Sequence, residues 1–239
     1  MLKFVTKEEY WKVEDSGILK SLPQKFSWHL KSIQDAVAFQ YLYQLSNQTI
    51  AEVGGGNSRI LPVLSKKNTC YNVDEFQGAG NGPKQSVVIE GVKNVSTLLG
   101  KFSELLPNTY FDYVFSISVV EHVSTQDLTN FFKDCYRILK PNGKMIHLID
   151  VYLEDSLKAN QDSLAERVKK YKYPFQEKMF ISLNSQELII SENDLYFSTR
   201  FASNPDNMMN NWNKSAPSLK NKRIKSQSCS LLMAGSKIE

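Results

Sequence analysis

A chain of 239 residues, 41% hydrophobic and 11% aromatic, can close one core with some decoration. Its formal charge of +4 comes from 29 basic and 25 acidic residues of interspersed sign, which disfavours nucleic acid as a partner. The 3 cysteines, Cys70, Cys135 and Cys229, are odd in number and lack CxxC or Cys/His spacing, so neither a disulfide framework nor a metal site is expected. Charges throughout MLKFVTKEEYWKVED interrupt any signal-peptide core, and no apolar run approaches the ~18 residues of a membrane span. The expectation is a cytoplasmic protein without membrane attachment.

Residues 1–47 read as an irregular helical segment broken near Gly17 and Pro23. Within it, Trp28, Leu30, Ile33, Ala36, Val37, Phe39, Tyr41 and Leu42 recur at helical spacing across Ser27–Leu45. The remainder, 48–239, reads as one domain. Gln48–Val53 is a short β-prone run ending at Gly54-Gly55-Gly56, and Ser58–Leu64 starts a helix that tolerates Pro62 only in its first turn. Thr69–Val73 is a second strand, closed by Asp74 and Glu75, and the turn-rich QGAGNGPKQ leads to a third at Ser86–Ile89. Tyr110–Ile117 is nearly continuous in apolar residues, as suits a strand covered on both faces. Asp127–Leu139 sets Leu128, Phe131, Phe132, Cys135, Ile138 and Leu139 on one side of a helix, stopped by Lys140-Pro141-Asn142-Gly143. Lys144–Val151 is the next strand, and the polar, helical 153–180 fits an insertion or cap. Glu187–Ser191, Tyr196–Ala202 and Ser226–Ala234 are β-prone, with no clear helix between the last two, which points to an antiparallel edge. The strand–helix–strand alternation before them predicts parallel pairing through right-handed crossovers.

In an open α/β sheet, ligands bind beyond the carboxyl ends of the strands. The first such end reads Glu52-Val53-Gly54-Gly55-Gly56-Asn57-Ser58, where glycines let backbone approach a ligand and the next helix N-terminus offers N–H groups to an anion. Asp74, at the second strand end, suits the hydroxyls of a ribose. Gly54-x-Gly56 begins like a dinucleotide fingerprint, but its third glycine would fall at Arg59. Glu52 adds a second objection, because an acid there would repel a pyrophosphate and welcome an ammonium, such as that of S-adenosylmethionine.

The runs Ile50–Ser58 (IAEVGGGNS), Asp74, Phe111–Val123 (FDYVFSISVVEHV) and Leu139–Lys144 (LKPNGK) together resemble the class I S-adenosylmethionine-dependent methyltransferases, in the small-molecule, type 11-like group. The resemblance covers about residues 48–151. It implies a Rossmann-like α/β fold: a seven-stranded, mostly parallel sheet with helices on both faces and an antiparallel C-terminal strand, for which Ser226–Ala234 is the candidate. It implies S-adenosyl-L-methionine as cofactor, with Glu52, Gly54, Gly55 and Gly56 around the methionine moiety, Asp74 on the ribose, and Ser118 facing the cofactor. It places Gly100–Glu104 beside the adenine. There Lys101 stands where many members carry an acid, leaving Phe102 to stack on the ring.

Methyl transfer from a sulfonium asks the protein chiefly for positioning, plus a base where the acceptor holds its proton. Glu121-His122 follow the Tyr110–Ile117 strand, and His147 and Asp150 lie on or at the end of the next, on the side an acceptor would approach. His122 is the first candidate base and His147 the second. Plainer assignments stand beside them: Glu121-His122 as the start of a helix, and His147 as a hydrogen-bonded core histidine. The Glu121-His122 pair also resembles that of metal-assisted quinone methyltransferases, but their upstream acid is absent, with Ser118 nearby, and no metal is expected. The strand end Ser116-Ile117-Ser118-Val119 lacks the Asn/Asp-Pro-Pro-aromatic run of amino-methylating nucleic-acid enzymes. The expected activity is methyl transfer to an oxygen or nitrogen of a small-molecule or sugar-like acceptor. The alternatives are an RNA or protein methyltransferase using the basic stretch Lys214, Lys220, Lys222, Arg223 and Lys225, or a methyltransferase-like binding protein without turnover.

Overall fold

Short apolar runs separated by glycine-rich and polar turns pair into one sheet in the computed structural model, whose described residues are 1–23, 30–78, 82–98, 100, 105–154, 217 and 226–237. In chain order the elements are β1 (Leu2–Phe4), α1 (Lys7–Asp15), α2 (Leu30–Leu42), β2 (Thr49–Val53), α3 (Leu61–Leu64), β3 (Thr69–Asp74), β4 (Val92–Ser96), β5 (Phe111–Ile117), α4 (Leu128–Ile138), β6 (Leu139–Glu154) and β7 (Ser226–Ser236). The sheet order is β1-β7-β6-β5-β2-β3-β4. From β6 across to β4 every pair is parallel, while β7 runs antiparallel between β6 and β1. The chain moves outward through β3 and β4, then returns to build β5 and β6 on the other side of β2. The crevice beyond the β2 and β5 carboxyl ends is therefore the switch point where such sheets bind ligands.

Strand alternation divides the core in two. Val114, Met145 and Ile149 face a cluster with Leu128, Phe131, Phe132, Cys135 and Ile138 of α4. Phe115, Ile117, Ile146 and Leu148 face the opposite cluster, with Tyr10 and Val13 of α1, Ile33, Val37 and Phe39 of α2, and Leu61 of α3. Helices thus cover both faces of a Rossmann-like, mostly parallel sheet. Among the described residues, no helix is long and apolar enough to cross a membrane.

The structure departs from the sequence expectations in three places. Leu2–Phe4, within the segment expected to be helical, is a strand at the sheet edge, paired with Leu231–Met233. A capping box, in which Thr6 Oγ1 accepts from the Glu9 N–H and Glu9 Oε2 from the Thr6 N–H, then starts α1. The strand after β3 is Val92–Ser96 rather than Ser86–Ile89. Val88 is 93% exposed, and the Asn94 amide donates to Val87 O and Ser86 Oγ, so the earlier run lies beside the strand as an irregular segment. Pro141-Asn142-Gly143 does not separate α4 from the next strand; β6 begins at once with Leu139 opposite Phe111, and the register shifts before Lys144 pairs with Tyr113. Asn142 takes a positive φ of 61° there, a conformation that Asn tolerates better than most residues.

Candidate active site

The backbone at the end of β2 turns within three residues. Gly54 and Gly56 have φ of 64° and 51°, and a Cβ on Gly54 would lie 2.5 Å from Val119 Cγ2. A Cβ on Gly55 would lie 2.5 Å from Asn72 Oδ1. The loop is thus pressed against the end of β5 on one side and β3 on the other. Asn72, fully buried on β3, donates to Gly56 O at 2.8 Å, and Asp74 Oδ2 accepts from the Gly56 N–H at 3.0 Å. Asp74 Oδ1 accepts from the Phe76 N–H at 2.7 Å.

Glu52 lies beneath this loop, 4% exposed. Ser58 donates its hydroxyl proton to Glu52 Oε2, and no ion pair neutralises Glu52 among the described residues. Burial pushes its carboxyl up to about 8, the Ser58 bond opposing. The same Ser58 Oγ accepts from the N–H groups of Ile60 (3.3 Å) and Leu61 (3.1 Å). This corrects one expectation, because α3 is only four residues long and Ser58 already takes the N–H groups at its start. Arg59, where a dinucleotide fold would carry glycine, forms an ion pair with buried Asp35 of α2 and ties the loop to that helix.

A second polar group gathers where β5 and β6 end. Ser118, at a φ of 54°, places its Oγ 2.7 Å from Gln34 Oε1 and 3.0 Å from Asp150 Oδ1. One hydroxyl proton serves one acceptor at a time. Gln34, fully buried in α2, donates to Asp150 Oδ1 at 2.8 Å and to Ser230 Oγ at 3.1 Å. The turn Val120–His122 follows directly. There His122 is 61% exposed in its side chain, with Nε2 at 3.9 Å from Glu121 Oε1. Burial, then the nearby Asp150 charge, pushes the Glu121 carboxyl up to about 8.

The structure therefore brings Glu52, Gly54, Gly55, Gly56 and Asp74 together, and joins them through Val119 to Ser118 and the His122 turn. It sets His147 apart. That ring is fully buried on the α4 face, with Nδ1 2.7 Å from Ser116 Oγ and the rings of Phe131 and Phe132 within 6 Å. Burial lowers its pKa to about 3. His147 and Asp150 are three residues apart on one strand, so alternation turns them to opposite faces. Lys101, Phe102, the 153–180 insertion beyond Glu154, the expected strands at Glu187–Ser191 and Tyr196–Ala202, and the basic stretch from Lys214 to Lys225 lie outside the described residues. Among the described residues, no three His, Cys, Asp or Glu side chains are placed to hold a metal. Sequence reasoning missed Gln34 and Asn72. Gln34 sits among apolar residues in an amphipathic helix, a buried polar position that could have flagged it; nothing local distinguishes Asn72.

Residues 51–147 match the family model described as a methyltransferase domain. No curated protein matches the sequence. Among solved structures, the chain is similar to the phosphoethanolamine N-methyltransferase 2 of Haemonchus contortus in complex with S-adenosyl-L-methionine, at 15% identity and a TM-score of 0.53, over 86% of this chain and 52% of that one. It is also similar to the geranyl diphosphate C-methyltransferase of Streptomyces coelicolor, in complex with Mg2+, geranyl diphosphate and S-adenosyl-L-homocysteine. That likeness is 10% identity and a TM-score of 0.52, over 87% of this chain and 80% of that one. The chain thus spans about half the length of the nematode protein. With the glycine loop, the strand order and the antiparallel β7 in place, residues 51–147 carry a methyltransferase domain on a Rossmann-like sheet.

Proposed function

We propose that the chain binds S-adenosyl-L-methionine at the β2–β5 crevice and transfers its methyl group to an oxygen or nitrogen of a small-molecule or sugar-like acceptor. The observation that carries this is Glu52: an acid buried directly before a glycine turn, with no cation paired to it. A buried carboxylate repels a diphosphate, and an ammonium offsets its desolvation. The residues fit the cofactor in two further respects. The glycines hold the backbone where side chains would collide with Asn72 and Val119, so that backbone rather than side chain lines the turn. Asp74 uses one lone pair of Oδ2 for the Gly56 N–H of the loop and one of Oδ1 for the Phe76 N–H, and keeps another on each for ribose hydroxyls.

When bound, S-adenosylmethionine supplies a methyl group already activated by sulfonium charge. What remains to the chain is positioning and, for some acceptors, moving a proton. Glu52 holds the amino end, the glycine turn brings backbone close, and Asp74 orients the ribose. Ser118 is held by Gln34 and Asp150 and sets the wall that faces the cofactor. The exposed His122 is free to take a proton from an acceptor. His147 serves packing between Ser116 and the α4 phenylalanines.

Titration calorimetry of the full chain tests the reading. S-adenosylhomocysteine should bind with one site per chain and NAD should not. Binding of NAD with indifference to S-adenosylhomocysteine would reverse the assignment.

A further inference from the structure

Glu121 takes no part in cofactor binding as proposed above, and its surroundings are unusual for a carboxylate. It sits on the turn after β5, two residues beyond Val119, whose methyl groups close over Gly54. Both carboxylate oxygens are shut from solvent and accept no side-chain hydrogen bond, with only the backbone N–H groups of Glu121 and Asp150 beside them, and the side chain as a whole is only 13% exposed. The nearest basic side chain is the His122 imidazole, at 3.9 Å beyond hydrogen-bond length. Its other charged neighbours are Asp150, of like sign, and Lys31, whose influence is weaker. The local donors, the Ser118 hydroxyl and the Gln34 amide, both reach Asp150 Oδ1. Asp150 thereby gains side-chain donors and Glu121 does not.

A buried carboxylate left without donors costs free energy that a neutral residue of similar shape would avoid. Its place on the turn beside the glycine loop, with side-chain donors directed elsewhere, is complementary to a ligand that brings its own positive N–H groups. We infer that Glu121 is a specificity-determining residue that receives a protonated amine of the acceptor, so that the acceptor is an amine-bearing small molecule. The inference rests on the cofactor reading above and narrows its acceptor class. The amine donates to the carboxylate, and its charge offsets the repulsion between Glu121 and Asp150. A carboxylate or phosphate presented at the same point would meet the Asp150 charge and would oppose ionisation of Glu121.

The experiment uses the full chain. S-adenosylhomocysteine affinity is measured first, and its absence would remove the cofactor reading and this inference together. With that ligand saturating, butylamine, 1-butanol and butyrate are titrated by ligand-observed NMR. Butylamine should bind at least tenfold more tightly than the other two. In Glu121→Gln, which keeps shape and removes charge, that preference should vanish while S-adenosylhomocysteine affinity stays within about twofold. Equal binding of amine and alcohol by the unaltered chain would overturn the inference and leave the cofactor reading standing. So would a Glu121→Gln chain that keeps its amine preference. A third result counts against it as well: if Glu121→Gln weakens S-adenosylmethionine but not S-adenosylhomocysteine, the carboxylate serves the sulfonium and not an acceptor.

Discussion

Gly55 is not held in the left-handed region, so its importance is one of space rather than of backbone conformation. A Cβ there would meet Asn72 Oδ1 at 2.5 Å and the Glu52 side chain at 3.0 Å, both fixed and buried. Gly55→Ala should therefore displace Glu52 or the loop and weaken S-adenosylhomocysteine at least about tenfold, or ~1.4 kcal/mol, with the circular dichroism spectrum unchanged. Asp74→Ala removes the acceptors of the Gly56 and Phe76 N–H groups along with those proposed for the ribose. A loss of about 1–3 kcal/mol in cofactor binding is expected, and unaltered affinity would mean the ribose lies elsewhere. Glu52 adds a protonic signature. With its carboxyl pushed up to about 8, it is largely neutral at pH 7 in the unliganded chain, and an arriving ammonium favours the ionised form. Binding at neutral pH should then release a proton, visible as a dependence of the calorimetric enthalpy on buffer ionisation, and Glu52→Gln should abolish that dependence.

At the scale of elements, the C-terminal end of α4 is closed by a residue distant in sequence. Lys237, just past β7, donates from Nζ to Tyr136 O at 3.0 Å and Leu139 O at 2.7 Å, and lies 4.3 Å from the Tyr136 ring centre. These carbonyls end a helix whose dipole favours a cation there. Lys237→Met keeps the apolar stem and removes the donors. It should cost about 1–2 kcal/mol and lower Tm by several degrees in a thermal melt, without altering cofactor affinity. At the other end of the same region, fully buried Asp134 accepts from the Gly100 N–H at 3.0 Å and pairs with Arg137, which donates to Leu106 O at 2.7 Å. One helix thus anchors both ends of the segment expected to border the adenine.

For the molecule as a whole, the buried ionisable groups set a distinctive pH dependence. Glu52 and Glu121 rise from 4.5 to about 8 on folding, chiefly through burial. Between those values the folded chain keeps protons that the unfolded chain has released, so stability falls as pH rises through the window. Asp35, raised from 3.8 to about 6 by burial against the pull of Arg59, acts in the same sense at lower pH. His147 acts in the opposite sense: lowered from 6.5 to about 3, it stays neutral when folded, and stability is lost as pH falls through that range. The carboxyl groups outweigh it above neutrality. Unliganded protein should melt at a higher temperature near about pH 5.5 than near about pH 8.5, and Glu52→Gln should narrow the difference. A melting temperature that climbs steadily between those conditions would contradict the burial assigned to both acids.

The sequence by itself determined the periodic parts. The strand-and-helix alternation, the glycine turn after β2, the acids at 52 and 74 and the amphipathic α4 each follow from local pattern, because backbone geometry and apolar spacing are properties of neighbouring residues. The order of the sheet, the strand at Leu2–Phe4 and the use of Val92–Ser96 in place of Ser86–Ile89 were decided only by tertiary structure, since pairing partners lie far along the chain. The same holds for the site. His147 and Asp150 look like neighbours in sequence but occupy opposite faces, and Gln34 reaches Ser118 and Asp150 from a helix 84 and 116 residues away. Which carboxylates find donors and which stay unpaired depends on those long-range contacts, and no local pattern encodes them.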